Sequence, residues 1–219
     1  MGDRMETGGS LEKSSKRSHY EIIVIGASTG GFDALSIILP RVPRELKIPI
    51  VIVLHIPSDG ANLLAELFSS KVALHVKDAA DGEAILPGTI YFAPANFHLS
   101  IDKDRSLLLS EGARVNFSRP SIDVLFKSAA EVFGKGVLGI LLTGANEDGA
   151  DGLRQIQAAG GTAIVQDPAT ASAPVMPDAG LNAIAAGPTQ ILSIDEISVL
   201  LISLRDVLAA KEECHVNNN

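Results

Sequence analysis

The chain has no tryptophan, a single cysteine and few aromatic residues, with Phe, Trp and Tyr together at 4% of 219 positions. Its core must therefore be aliphatic, and a hydrophobic content of 46%, dominated by Ile, Val, Leu and Ala, supplies one. The lone Cys214 leaves no disulfide framework and no thiolate metal site. Basic residues are in the minority, 18 Lys and Arg against 26 Asp and Glu, for a net charge of −8. That balance argues against nucleic acid as a partner, because phosphate binding needs clustered positive charge. No run of about 18 apolar residues occurs, so no membrane insertion is expected. Residues 1–18 are rich in Gly, Ser and charges and lack the apolar stretch of a signal peptide. A reducing, cytoplasmic location fits these absences. The length suits one domain. Residues 1–19 are expected to form a disordered tail or linker remnant, 20–210 the folded domain and 211–219 a flexible tail.

The stretch that organises the chain is EIIVIGASTGG, residues 21–31. Ile22 to Ile25 reads as a buried strand, the glycine-rich turn breaks it, and Phe32 to Leu39 has helical spacing. Small residues around Ser28 let the backbone approach a ligand, and the next helix opens with N–H groups facing it. The turn is neither G-x-G-x-x-G nor a P-loop. A nucleotide turn, a nucleophile turn and plain tight packing all remain open from this stretch alone.

A second β-branched run covers 48–56, and residues 61–70 have helical spacing after a turn at 57–60. This β-α-β-α order predicts an α/β fold: a doubly wound, mainly parallel sheet with helices on both faces. The short pieces 74–76, 89–93, 98–101 and 107–109 suggest an antiparallel insertion or extra edge strands. Residues 121–133 form an amphipathic helix with Ser118 or Ser121 as its cap, and 136–142 a buried strand. A helix over 150–159 ends at Gly160-Gly161, and a strand covers 162–166. The proline-bearing stretch 167–179 reads as loop, and 195–209 as a last helix capped by Asp195 or Ser193.

Three buried strands lead to Ser28, His55 and Asp148. If they are parallel, the three emerge at one edge of the sheet, where ligands of open α/β folds bind. A serine hydroxyl needs an imidazole to take its proton, and the imidazole needs a carboxylate to fix its tautomer. The turn around Thr29 and Gly30 and the loop from Gly144 to Gly149 offer N–H groups for an oxyanion. Plainer readings stand beside these. His55 suits a core position, Asp148 suits the N-cap of its own helix, and Glu147 and Asp151 are rival carboxylates. His98 reads as a surface or supporting histidine, and Arg41 and Arg119 as surface or substrate-carboxylate residues. The histidines lack the spacing of a metal site, so no metal is expected.

The chain carries the motifs IGASTGG (25–31), LHIP (54–57), DGEAILPGTIYFAPANFHL (81–99), RPSIDVLF (119–126), LLTGANEDGADG (141–152) and VMPDAGL (175–181). Together they make the chain resemble the catalytic domain of CheB-type protein-glutamate methylesterases over about residues 21–200. The resemblance implies hydrolysis of glutamate γ-methyl esters on the cytoplasmic helices of methyl-accepting chemoreceptors, with release of methanol, and deamidation of receptor glutamines as an alternative. It implies Ser28 as nucleophile, His55 as base and Asp148 as orienting acid, with no cofactor. Thr29, Ala145 and Gly30 are candidate oxyanion or substrate residues. Where the family usually reads TGMGxDGA, this chain has Ala145 and Asn146. The family's usual N-terminal receiver domain is not expected in a chain with about twenty polar residues before the domain. An alternative of another class is a nucleotide- or protein-binding module without catalysis.

Overall fold

β-branched residues alternate toward two helical layers. In chain order the elements are β1 (Ile22–Ala27), α1 (Gly31–Ile38), β2 (Ile50–Leu54), α2 (Leu64–Ser69), β3 (His75–Asp78), β4 (Thr89–Phe92), β5 (His98–Ile101), β6 (Leu107–Ser110), α3 (Ile122–Phe133), β7 (Val137–Leu141), α4 (Ala150–Ala158), β8 (Thr162–Gln166), α5 (Val175–Ala183) and β9 (Thr189–Leu192). A further helix, α6, starts at 194 and is described to 204. The computed structural model describes residues 20–56, 63–184 and 189–204. The expected tails at 1–19 and 211–219, the turn at 57–60 and residues 205–209 of the last helix lie outside these.

Seven strands form one sheet in the order β3-β4-β2-β1-β7-β8-β9. Every neighbouring pair in it is parallel. On one face Ile23 and Ile25 pack with Leu35, Ile38 and Phe68 and with Leu201 of α6. On the other, Ile22 and Val24 pack with Leu125, Phe126, Leu153 and Met176. The period of two within β1 thus feeds two cores, and the sheet is doubly wound. The chain leaves β1 toward β2 and later returns to its other side as β7. The topology therefore reverses at β1, and the crevice for a ligand opens at the carboxyl end of that strand.

Of the two alternatives for the middle pieces, 74–76 and 89–93 are extra strands of the main sheet, β3 at its edge and β4 beside it, both parallel, whereas β5 and β6 form the antiparallel pair. The β3–β4 connection has no helix. It runs along the hairpin instead, with Gly82 N–H donating to Leu107 O and Leu107 N–H to Glu83 O, both at 2.8 Å. The stretch 167–179 is not all loop. Pro168–Thr170 is a 3-10 turn, and α5 begins at Val175. Pro177 sits in the first turn of α5, where its missing N–H has no intrahelical partner to lose. The last helix is capped by Ser193, not Asp195: Ser193 Oγ accepts from Glu196 N–H, and the Glu196 carboxylate accepts from Ser193 N–H at 2.8 Å, a capping box.

Candidate active site

Strand pairing brings the first two site residues together. Ala27 lies opposite Leu54 in the β1–β2 register, and His55 N–H donates to Ala27 O at 3.0 Å. Ser28 and His55 therefore leave adjacent strands side by side. On the other flank Ser28 N–H donates to Thr143 O at 2.9 Å, just beyond β7. The turn that follows needs Gly30, whose φ is 79° and whose added Cβ would lie 2.6 Å from Ser172 Cβ. Gly144 is needed for closeness: a Cβ there would be 2.9 Å from Ser28 Cβ. Thr143 fastens the neighbourhood, with its buried hydroxyl donating to Thr29 O and accepting from Ala173 N–H, both at 2.9 Å.

His55 Nε2–H donates to Asp148 Oδ2 at 3.0 Å. Of the rival carboxylates, Asp151 pairs with Lys127 and Arg154, and Glu147 is exposed. With Nε2 so engaged, Nδ1 is the ring nitrogen left for a second partner.

Asp148 is fully buried, at 0% exposure. Its Oδ1 accepts from Ser121 Oγ at 2.8 Å, Asn116 Nδ2 at 3.1 Å and Asp123 N–H at 3.2 Å. Its Oδ2 accepts from Ile122 N–H at 2.7 Å besides His55. Burial pushes the carboxyl up, but the hydrogen bonds from His55, Ile122, Ser121 and Asn116 outweigh it and hold the group below the usual carboxylate range. A carboxylate kept ionised in this way holds an imidazole in one tautomer and stabilises it when it takes a proton.

By its place in the sequence Asp148 suits the N-cap of its own helix, α4, whose N-cap position is in fact Gly149. Asp148 caps α3 instead, and Asp123 of α3 returns the favour: Asp123 Oδ1 accepts from Gly149 N–H at 3.1 Å and Gly152 N–H at 2.7 Å. The two helix starts are thus cross-capped, which satisfies N–H groups that each helix leaves free. Ser121 occupies the N-cap position of α3, but its hydroxyl donates to Asp148 and caps nothing itself. Neither it nor Ser118 is the cap expected from sequence. Asn116 Nδ2 joins the two carboxylates, donating to Asp123 Oδ2 at 2.9 Å as well as to Asp148. Burial, with the Asp148 charge beside it, pushes the Asp123 carboxyl above its ordinary value despite the Gly152 N–H. His98 is buried, not superficial: Nε2–H donates to Ala113 O at 2.9 Å and Nδ1 accepts Ser121 N–H at 3.2 Å, which fixes a neutral tautomer.

Sequence reasoning missed Asn116, Asp123 and the supporting place of Ser121. The one available signal was an acid in the first turn of a helix, which reads as an ordinary dipole contact. The departure at Asn146 has a local reason, since its Oδ1 accepts Asp148 N–H at 3.2 Å and turns the loop toward α4. Ala145 is exposed beside Gly144. The N–H groups of Thr29, Gly30 and Ala145 take no part in the backbone bonds of this loop cluster, whereas those of Ser28 and Gly144 do. Arg41 pairs with Asp195 away from the site, while Arg119 Nη1 donates to Glu111 O at 2.7 Å and Gly112 O at 2.9 Å.

The CheB methylesterase family model matches residues 23–201. The chain belongs to the CheB methylesterase family. A relative in Leptospira interrogans (strain Fiocruz L1-130), a putative protein-glutamate methylesterase/protein-glutamine glutaminase, is 45% identical over 186 residues, covering 85% of this chain and 95% of that protein. The protein-glutamate methylesterase/protein-glutamine glutaminase of Maricaulis maris is 42% identical over 162 residues, 73% of this chain but 40% of its own length. The crystal structure of the Thermotoga maritima CheB methylesterase catalytic domain superposes with a TM-score of 0.78 at 33% identity, covering 84% of this chain and 98% of that one. The glycine turn at 26–31 thus lies within the region that the CheB methylesterase family model matches.

Proposed function

We propose that the chain demethylates glutamate γ-methyl esters on the cytoplasmic domains of chemoreceptors, releasing methanol, and so serves receptor adaptation in the cytoplasm. The observation that supports this most is the 3.0 Å bond from His55 to a wholly buried Asp148, on a histidine whose strand neighbour is Ser28. In this reading His55 Nδ1 takes the Ser28 proton as Oγ attacks the ester carbonyl. Asp148 stays ionised and holds the imidazolium. N–H groups of Thr29, Ala145 and Gly30 receive the oxyanion, each worth roughly 10²–10³ in rate. The proton returns from His55 to the methoxy oxygen, and methanol leaves an acyl-enzyme. Water, deprotonated by the same His55, then frees the glutamate and Ser28. No cofactor enters these steps.

The same residues acting on a glutamine amide expel ammonia in place of methanol. The names of the relatives, which pair a methylesterase with a glutaminase, favour this as a second activity.

The test is methanol release from methylated receptor cytoplasmic fragments. Wild type is expected to release it and Ser28→Ala to release none while keeping its melting temperature. Undiminished release by the variant would remove Ser28 as nucleophile.

A further inference from the structure

One loop beside His55 holds a residue that the fold does not need. Residues 115–118 form a two-residue hairpin turn, with Val115 N–H donating to Ser118 O at 3.1 Å and Ser118 N–H to Val115 O at 2.8 Å. Its central residues, Asn116 and Phe117, have φ of 48° and 63°. Two positive φ values define the type I′ turn, for which Asn followed by Gly is the favoured pair. Asn116 fits that preference, and its side chain is tied to Asp123 and Asp148. Phe117 does not. A bulky side chain in the left-handed region is strained, and this one is 94% exposed, so it gains no burial in return.

The surroundings say what the strain serves. Phe117 lines a cavity of about 180 Å³ together with His55, Ile56, Arg114 and Arg119. Arg114 is folded back so that Nη1 donates to Phe117 O at 3.3 Å. Arg119 is held by the carbonyls of Glu111 and Gly112, and its buried Nε has no partner among the described residues. In a chain of net charge −8, the lining of the histidine cavity carries two arginines and one aromatic side chain. An aromatic flanked by arginines is the make-up of an interface hot spot, and its charge complements an acidic polypeptide.

We infer that Phe117 is a specificity-determining residue: it docks on the apolar flank of an acidic, glutamate-bearing segment of the protein substrate while the ester enters beside His55. Arg114 and Arg119 meet the segment's carboxylates. Asn116, itself part of the turn, fixes the docking ring relative to the orienting acid, because its side-chain amide donates to both Asp148 and Asp123. The inference rests on the functional reading above and names how that site selects its substrate.

The experiment compares steady-state methanol release from a methylated receptor fragment and from a blocked glutamate γ-methyl ester, for wild type, Phe117→Ala, Phe117→Gly and Phe117→Leu. Expected for Phe117→Ala and Phe117→Gly is a rise in KM for the receptor fragment of at least about tenfold with kcat held, the scale of losing one interface anchor. The loss of kcat/KM is expected to be about tenfold greater for the fragment than for the small ester, with Phe117→Leu recovering part of it. Phe117→Gly is further expected to melt at a higher temperature than wild type, which separates docking from stability. Equal KM for the fragment in all four proteins would overturn the inference and leave the esterase standing. Failure of wild type itself to release methanol from the fragment would overturn the functional reading and this inference with it.

Discussion

Replacing Asp148 by Asn puts an amide where both oxygens now accept. Whichever way it turns, its NH₂ faces either Ile122 N–H and His55 Nε2–H or the hydroxyl, amide and N–H that Oδ1 takes. Asp148→Asn is expected to lower kcat by about 10³–10⁴, because the imidazole loses its tautomer. It is also expected to destabilise by about 1–3 kcal/mol, since buried donors lose their acceptor. The pH dependence follows from the lowered carboxyl: its stabilisation is complete above an ordinary carboxylate value of about 4 and is lost as pH falls through the lower folded value. The melting-temperature gap between wild type and Asp148→Asn should hold steady from neutral pH down to about 4 and narrow below it. Asp123, whose carboxyl is pushed up, contributes with the opposite sign and costs stability as pH rises through its raised value. At this scale the sequence makes Ser28, His55 and Asp148 legible, because each is polar and follows a buried strand. Asn116 and Asp123 are not, because their purpose appears only when the start of α3 meets the start of α4.

The element that depends most on its neighbour is α4. Its opening N–H groups, Gly149 and Gly152, both donate to Asp123 of α3. Asp123→Ala is expected to cost about 1–2 kcal/mol, as removal of a helix cap does. Amide exchange should report it as faster opening confined to the first turn of α4 and the loop before it. A purely local acid, acting on the dipole of its own helix, would instead loosen α3. Caps of this kind lie in no window of sequence, because Asp123 and Gly149 are joined only through space. The cap of α6 is the contrary case: Ser193 and Glu196 lie three residues apart, so the choice between Ser193 and Asp195 was decidable from the pattern of a capping box. The helix at 175–183 is hidden for another reason: Pro174 at its N-cap and Pro177 in its first turn read as loop, although a helix start tolerates both. The turn at 115–118 carries its own signature in stability: relief of one strained left-handed residue is worth roughly 1–2 kcal/mol, which is the source of the higher melting temperature expected for Phe117→Gly.

At the scale of the molecule, the two cores are separated by a sheet whose central strands are buried on both faces. Phe126 of α3 is fully buried against β1 and α4 on one side of it. Phe126→Ala is expected to cost about 3–5 kcal/mol and to lower the melting temperature by roughly 10 °C, measured by calorimetry. The doubly wound class is legible in the β-branched runs and the helices between them. The middle of the chain is less so, since a four-residue apolar strand looks the same in a parallel sheet and in a hairpin. What makes β3 and β4 parallel is a loop that finds its hydrogen bonds on the β5–β6 pair, a partner reached only after the chain has folded back.

The cross-capped pair also sets an order of events during synthesis. Ser28 and His55 leave the ribosome early, each at the end of a complete strand. The start of α3 follows with the N–H groups of Ile122 and Asp123 still without their acceptor, because that acceptor is Asp148. When β7 enters the sheet beside β1 and residue 148 reaches α3, one carboxylate closes the helix and meets His55 in the same step. A half-made or clipped chain that ends before that point holds a serine and a histidine but no orienting acid. On the functional reading proposed here it strips no esters, so activity begins only when the domain is nearly whole.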